Sequence, residues 1–100
     1  MPHSRLLFHR LAAKEYRLAR QWYRERSLDV ADRFVAAVDK AAERIVSDAD
    51  ALPALLGEYR YWPVSRFPYV LVFRRLESDL VMVVAVAHTS RKPNYWRRRK

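Results

Sequence analysis

The residues of this sequence best equipped for chemistry crowd into one stretch, AVAHTSRKPNYWRRRK, at positions 85–100. His88 titrates near neutral pH and can act as a general acid or base, or serve as a hydrogen-bonded residue at a strand end. No carboxylate stands beside it in sequence, which favours the structural role. Arg91 and Lys92 can hold phosphate or an acidic protein surface. Tyr95 and Trp96 can stack on a nucleobase, but at least one of them is expected to pack back on the protein. Pro93 keeps the chain extended and can steer that return. The terminal RRRK, residues 97–100, reads as a frayed basic tail. Elsewhere, Arg66 stands ahead of FPY and can reach the same end of the fold or stay solvated. Arg74 and Arg75 precede a turn and are expected in solvent.

Other chemistries lack their residues. A single glycine, Gly57, excludes the glycine-rich cradles of dinucleotide and nucleoside-triphosphate sites. Without cysteine there is no disulfide framework and no thiolate, and His3, His9 and His88 have no metal-ligand spacing. Ser65, Ser78 and Ser90 lack the strand-turn-helix setting of a nucleophile elbow. Most acidic residues fall on predicted helices, where they suit arginine three or four positions away. No metal and no cofactor is expected.

Charge points to a partner instead. The net charge is +9, carried by 20 basic residues, of which 16 are arginine. Residues 1–50 hold 10 basic against 8 acidic side chains, and residues 51–100 hold 10 against 3, so the excess sits in the second half. Such a chain suits nucleic acid or an acidic protein, and charge alone does not separate them. The opening MPHSRLLFHR lacks the apolar core of a signal peptide. The longest apolar run, LVMVVAVA, is eight residues, well short of the ~20 that span a membrane. The expectation is one soluble cytoplasmic domain over residues 1–100, with no membrane contact.

The elements follow from hydrophobic periodicity. RLLF (5–8) is a short strand. Residues 10–26 read as a helix with Ala12, Tyr16, Ala19 and Tyr23 on one face and a weak N-cap at His9 and Arg10. Residues 28–49 read as a second helix, capped by Ser27, with an apolar stripe from Ala31 through Phe34, Val35, Val38, Ala42, Ile45 and Val46 to Ala49. Trp22 and Tyr23 are assigned to the interface between the two helices. The period then changes from 3.6 to 2. EYRYWPV (58–64) and FPYVLVF (67–73) are strands, RLESDL holds a tight turn, and LVMVVAVA (80–87) is a buried central strand. The order β-α-α-β-β-β predicts an α+β fold, a helical hairpin packed on a small, mainly antiparallel sheet. Val70, Val72, Val84 and Val86 suggest a second apolar sheet face. That face, or a groove beside the helices, is expected to stay partly uncovered and to suit an acidic amphipathic partner segment.

With this order the chain resembles the RelE/ParE superfamily of toxins from type II toxin–antitoxin modules. The resemblance runs over roughly residues 5 to 98 and rests on WYRER (22–26), RFPYVLVF (66–73), VVAVAH (83–88) and RKPNYWRRR (91–99). It implies a small cytoplasmic toxin of plasmid-stabilisation type, held inactive by a tightly bound cognate acidic antitoxin. The superfamily has two mechanisms. RelE-like members cut mRNA on the ribosome with a set of lysine, arginine and tyrosine, or in some branches glutamate and histidine. ParE-like members poison DNA gyrase and need no nuclease site. Where RelE-like proteins carry two lysines separated by one residue, this chain has Arg60 and Trp62. Where their nuclease arginine follows an aromatic, it has Val70, which cannot stabilise a phosphorane. Arg91 and a downstream Tyr95 have counterparts, and His88 can be likened to the histidine of the other branch. A nuclease would have to use Arg60, Arg66, His88, Arg91 and Tyr95. The ParE-like side is the better match, and it implies gyrase as target, contacted through Arg66, Arg91, Lys92, Tyr95 and Trp96. The alternatives are the ribosome with its mRNA, or a basic nucleic-acid-binding module without toxicity.

Overall fold

The structure, a computed structural model, describes residues 5–100. It begins with β1 (Arg5–Phe8), followed by α1 (Arg10–Arg24) and α2 (Leu28–Asp48). A short 3-10 turn, Ala49–Ala51, leads to β2 (Ala54–Leu56), β3 (Tyr59–Val64), β4 (Tyr69–Glu77) and β5 (Leu80–His88). The expected α+β arrangement forms, with one strand more. The extra strand β2 spans only three exposed residues, too few to show a period, and it lies at the sheet edge. The sheet order is β1-β5-β4-β3-β2, with β1 parallel to β5 and every other pair antiparallel.

Local chemistry explains the helix starts. Ser27 Oγ accepts from the Val30 N–H at 3.2 Å, a side-chain N-cap that satisfies one orphan donor. His9 was expected to cap poorly, yet its Nδ1 accepts from the Leu11 N–H at 3.0 Å. A neutral imidazole offers one acceptor nitrogen, which here does the work of a serine oxygen. The two helices bury Ala12, Ala19, Ala31, Phe34, Val38, Ala41 and Ile45. Phe34 is fully buried at the centre of an aromatic cluster, 5.1 Å from Tyr23, 5.2 Å from Phe67 and 5.5 Å from Tyr69 between ring centroids. Tyr23 therefore lies between the elements as expected. Trp22 does not: one helical step away, it is half exposed.

A bulge in β5 settles which residues face the helices. Val72 pairs with Ala85 but Phe73 pairs with Val83, so Val84 is an extra residue. Val86 joins Val81 and Val83 in the cluster under the helices, not the second face assigned to it by simple alternation. The second face holds Val72, Met82, Val84, Ala85 and Ala87. It is covered. The C-terminal return lays Trp96 on it, 3% exposed, with its ring 4.7 Å from that of Tyr59. Within the terminal RRRK, the Tyr59 hydroxyl donates to the Arg97 carbonyl and the Arg99 side chain is only 13% exposed, while Arg98 and Lys100 are exposed. Arg74 and Arg75 lie within β4 rather than before a turn, and they pair with Glu58 at 3.0 Å and Asp50 at 3.1 Å. β4 starts only at Tyr69, because the turn before it puts Arg66 in the left-handed region at φ 70°.

Candidate functional site

The densest polar cluster is centred on a residue the sequence did not single out. Glu15 sits in mid-α1 between the buried Ala12 and Ala19, and its side chain is 14% exposed. Its Oε1 accepts from the Val86 N–H at 3.0 Å and from Arg99 Nη1 at 2.8 Å. Its Oε2 accepts from the Tyr95 hydroxyl at 2.6 Å and from Arg99 Nη2 at 3.0 Å. Arg91 Nη1 stands 3.5 Å from the same oxygen. The reason lies in the sheet. β1 ends at Phe8, opposite Val83, so β5 beyond that point has no strand neighbour on that side. Glu15 satisfies the Val86 N–H there, and Arg99 donates to the Val84 carbonyl at 2.9 Å. One signal was available: Glu15 is the sole acid in residues 1–24 and falls on the inward side of an otherwise basic helix.

The cluster shapes its own titration. Burial, then the hydrogen bond to Glu15 and its charge, push the Tyr95 phenol well above its ordinary value, against a smaller opposing pull from Arg91 and Arg99. Tyr95 is thus a donor committed to Glu15, not a base. Burial works against the Arg99 charge, but the hydrogen bond and charge of Glu15, with Tyr95, outweigh it and raise the Arg99 pKa. Two guanidiniums lie close to the Tyr95 ring, with Arg91 Cζ 3.7 Å and Arg99 Cζ 5.1 Å from its centroid.

Of the five residues a nuclease would need, the fold brings three together. His88, Arg91 and Tyr95 are neighbours at the C-terminal end of β5. His88 Nδ1 accepts from the Ser90 N–H at 3.0 Å and lies 2.7 Å from Ser90 Oγ, and its ring meets Tyr69 edge-on at 5.1 Å. It closes the turn after β5 and hydrogen bonds to no carboxylate among the described residues. Arg60 lies elsewhere, donating to the Leu52 carbonyl at 2.6 Å, which holds the approach to β2. Arg66 is exposed and lines a separate groove of about 980 Å³ between α2 and β3, with Ala37, Arg44, Trp62 and Phe67. Tyr95 and Trp96, expected to meet a target, point inward instead: Trp96 is in the core and Tyr95 is bound to Glu15. Arg91 and Lys92 remain exposed. Arg91 forms a ridge between two grooves, one toward Tyr61 and Val70, the other toward Leu18, Trp22 and Tyr69 on the α1 side. Leu18 and Trp22 are 60% and 51% exposed, so the α1 side has an open apolar wall.

The described residues contain no group of three His, Cys, Asp or Glu side chains able to hold a metal ion. His3 lies outside them. No helix among them is long and apolar enough to cross a membrane.

Residues 6–93 match the family described as the ParE toxin of the type II toxin–antitoxin system, parDE. The chain belongs to the ParE toxin family. That membership makes it a type II toxin and implies a cognate antitoxin as its partner. No curated protein matches the sequence. The family match ends at Pro93, so Tyr95, Trp96 and Arg99, which pack the return of this ParE-family toxin, lie beyond it.

Proposed function

We propose that this toxin acts in the cytoplasm by binding DNA gyrase, not by cutting RNA, and that a cognate acidic antitoxin neutralises it. One observation carries the reading: three of the five polar groups a nuclease would use are engaged in holding the fold itself. Tyr95 donates to Glu15, His88 Nδ1 is taken by Ser90, and Arg60 holds the Leu52 carbonyl. General acid–base catalysis needs a group free to reach the substrate; Tyr95 is committed to Glu15, and His88, with Nδ1 taken by Ser90, has no carboxylate hydrogen-bonded to it among the described residues. What stays available is a cation on a ridge, Arg91 with Lys92 beside it, flanked by exposed apolar side chains. That combination suits a protein surface. The α2 groove, with Arg33, Arg44 and Arg66 around Ala37 and Phe67, suits an acidic amphipathic segment of the antitoxin.

Two assays on the purified toxin test this. It should inhibit supercoiling by gyrase, and Arg91→Ala should weaken that inhibition. It should leave ribosome-bound mRNA intact. Cleavage of mRNA on ribosomes that disappears in Arg91→Ala would replace gyrase poisoning with a RelE-like nuclease using a reduced site.

A further inference from the structure

We infer that Glu15 is a positioning residue: it latches the C-terminal return onto α1 and β5, and through that latch sets where Arg91 stands. The inference rests on the reading above only in taking Arg91 as a target contact.

From Arg91 onward the main-chain hydrogen bonds are local turns, Arg91 to His88, Arg97 to Asn94 and Arg99 to Trp96. No strand ladder ties this segment to the sheet, so side chains must. Trp96 supplies apolar burial, which is not directional. Direction comes chiefly from Glu15, whose two oxygens accept from Tyr95 and Arg99 while also holding the Val86 N–H of β5, with Tyr59 to the Arg97 carbonyl and Arg99 to the Val84 carbonyl beside it. These partners lie 71 to 84 residues away in sequence, so one carboxylate ties the helix, the strand and the return together.

Arg91 is held in two ways. Its guanidinium is 3.5 Å from Glu15, and it stacks at 3.7 Å on the Tyr95 ring, which Glu15 pins by its hydroxyl. Without the carboxylate, the charges of Arg91 and Arg99, both close to the Tyr95 ring, would have no opposite charge between them to offset their repulsion. Arg91 nevertheless remains about half exposed, so Glu15 orients the residue without consuming it. Tyr95 and Arg99 lie past the residues matched by the family.

Glu15→Gln preserves size but removes the charge, and its single carbonyl oxygen can keep either the Val86 N–H or the Tyr95 hydroxyl as donor, not both, because these donate to different oxygens of Glu15. The first measurement is trypsin cleavage after Arg97 and Arg98 in the purified toxin. Glu15→Gln should speed it about tenfold or more, the scale of a lost charge-assisted hydrogen bond, with Arg91→Ala near the native rate. The second is growth inhibition on expression without antitoxin, in Glu15→Gln, Arg91→Ala and the double variant. Each single change should weaken inhibition, and the double variant should match Arg91→Ala alone, because Glu15 acts through Arg91. A native cleavage rate in Glu15→Gln would overturn the latch. Losses that multiply in the double variant would overturn positioning and leave a general structural role. Full inhibition by Arg91→Ala would sink Arg91 as a target contact, and positioning with it, while the cleavage rates still judge the latch. Should Glu15→Gln fail to fold, Tyr95→Phe removes only the hydroxyl, and a cleavage rise of roughly threefold to tenfold is then expected; no rise would overturn the latch.

Discussion

Replacing Trp96 by alanine tests whether the C-terminal return is part of the core. The side chain is 3% exposed and lies against Val72, Val84 and Ala87 on the second sheet face, with the Tyr59 ring across it. Truncating a buried tryptophan typically costs about 3–5 kcal/mol through lost burial and the cavity left behind. Here the low end applies, because the return has only local main-chain hydrogen bonds and can lift away instead of leaving a rigid void. The expected loss is then about 3 kcal/mol. For a domain of this size each kcal/mol shifts Tm by about 4–8 °C, so a fall of roughly 12–24 °C is expected in a thermal melt followed by circular dichroism. Trp22→Ala is the control. Trp22 is 51% exposed, and its truncation should stay within about 0.5 kcal/mol of native stability. If Trp96→Ala melted like Trp22→Ala, the return would not be packed, and the account of the covered second face would be wrong.

Arg99→Ala should destabilise by about 1.5–3 kcal/mol in urea unfolding, since it strips two charge-assisted bonds from a poorly solvated carboxylate, while Arg98→Ala should change little. Alkaline pH should unfold the toxin. Burial raises the phenols of Tyr16, Tyr23, Tyr69 and Tyr95 above the ordinary 10.0, so near and above that pH the folded state holds protons that the unfolded chain gives up. Their contribution is complete below pH 10 and is lost as pH rises past it toward the folded values. Tm measured against pH should therefore drop above 10, with tyrosinate absorbance rising in step and the drop shallower in Tyr95→Phe. Tyrosinate that appears before any loss of structure would refute the burial argument.

The helices were the most legible part. The stripe Ala31, Phe34, Val38, Ile45 needs only a 3.6-residue period, and Ser27 needs only a nearby N–H. The apolar run of β5 likewise announced a strand covered on both faces. The errors arose where one residue's partner lay far along the chain. Alternation put Val86 on the wrong face because nothing local marks the bulge at Val84. Counting charges made Glu15 a solvated partner for a helical arginine, as Asp29 is for Arg33 at 2.8 Å. Instead its partners come from β5 and the return.

Period and charge alone could place an α+β fold and a basic second half, which survive without coordinates. The toxin reading, and the weak nuclease set at Trp62 and Val70, are what the resemblance to the RelE/ParE superfamily implied. Only the tertiary structure could decide that Trp96 closes the second face, that RRRK holds one largely enclosed arginine, Arg99, and that one helical carboxylate orders the stretch AVAHTSRKPNYWRRRK. The reason is desolvation. A glutamate in water is an ordinary surface charge; enclosed by Tyr95, Arg99 and an unpaired strand edge, it becomes the acceptor on which they all converge.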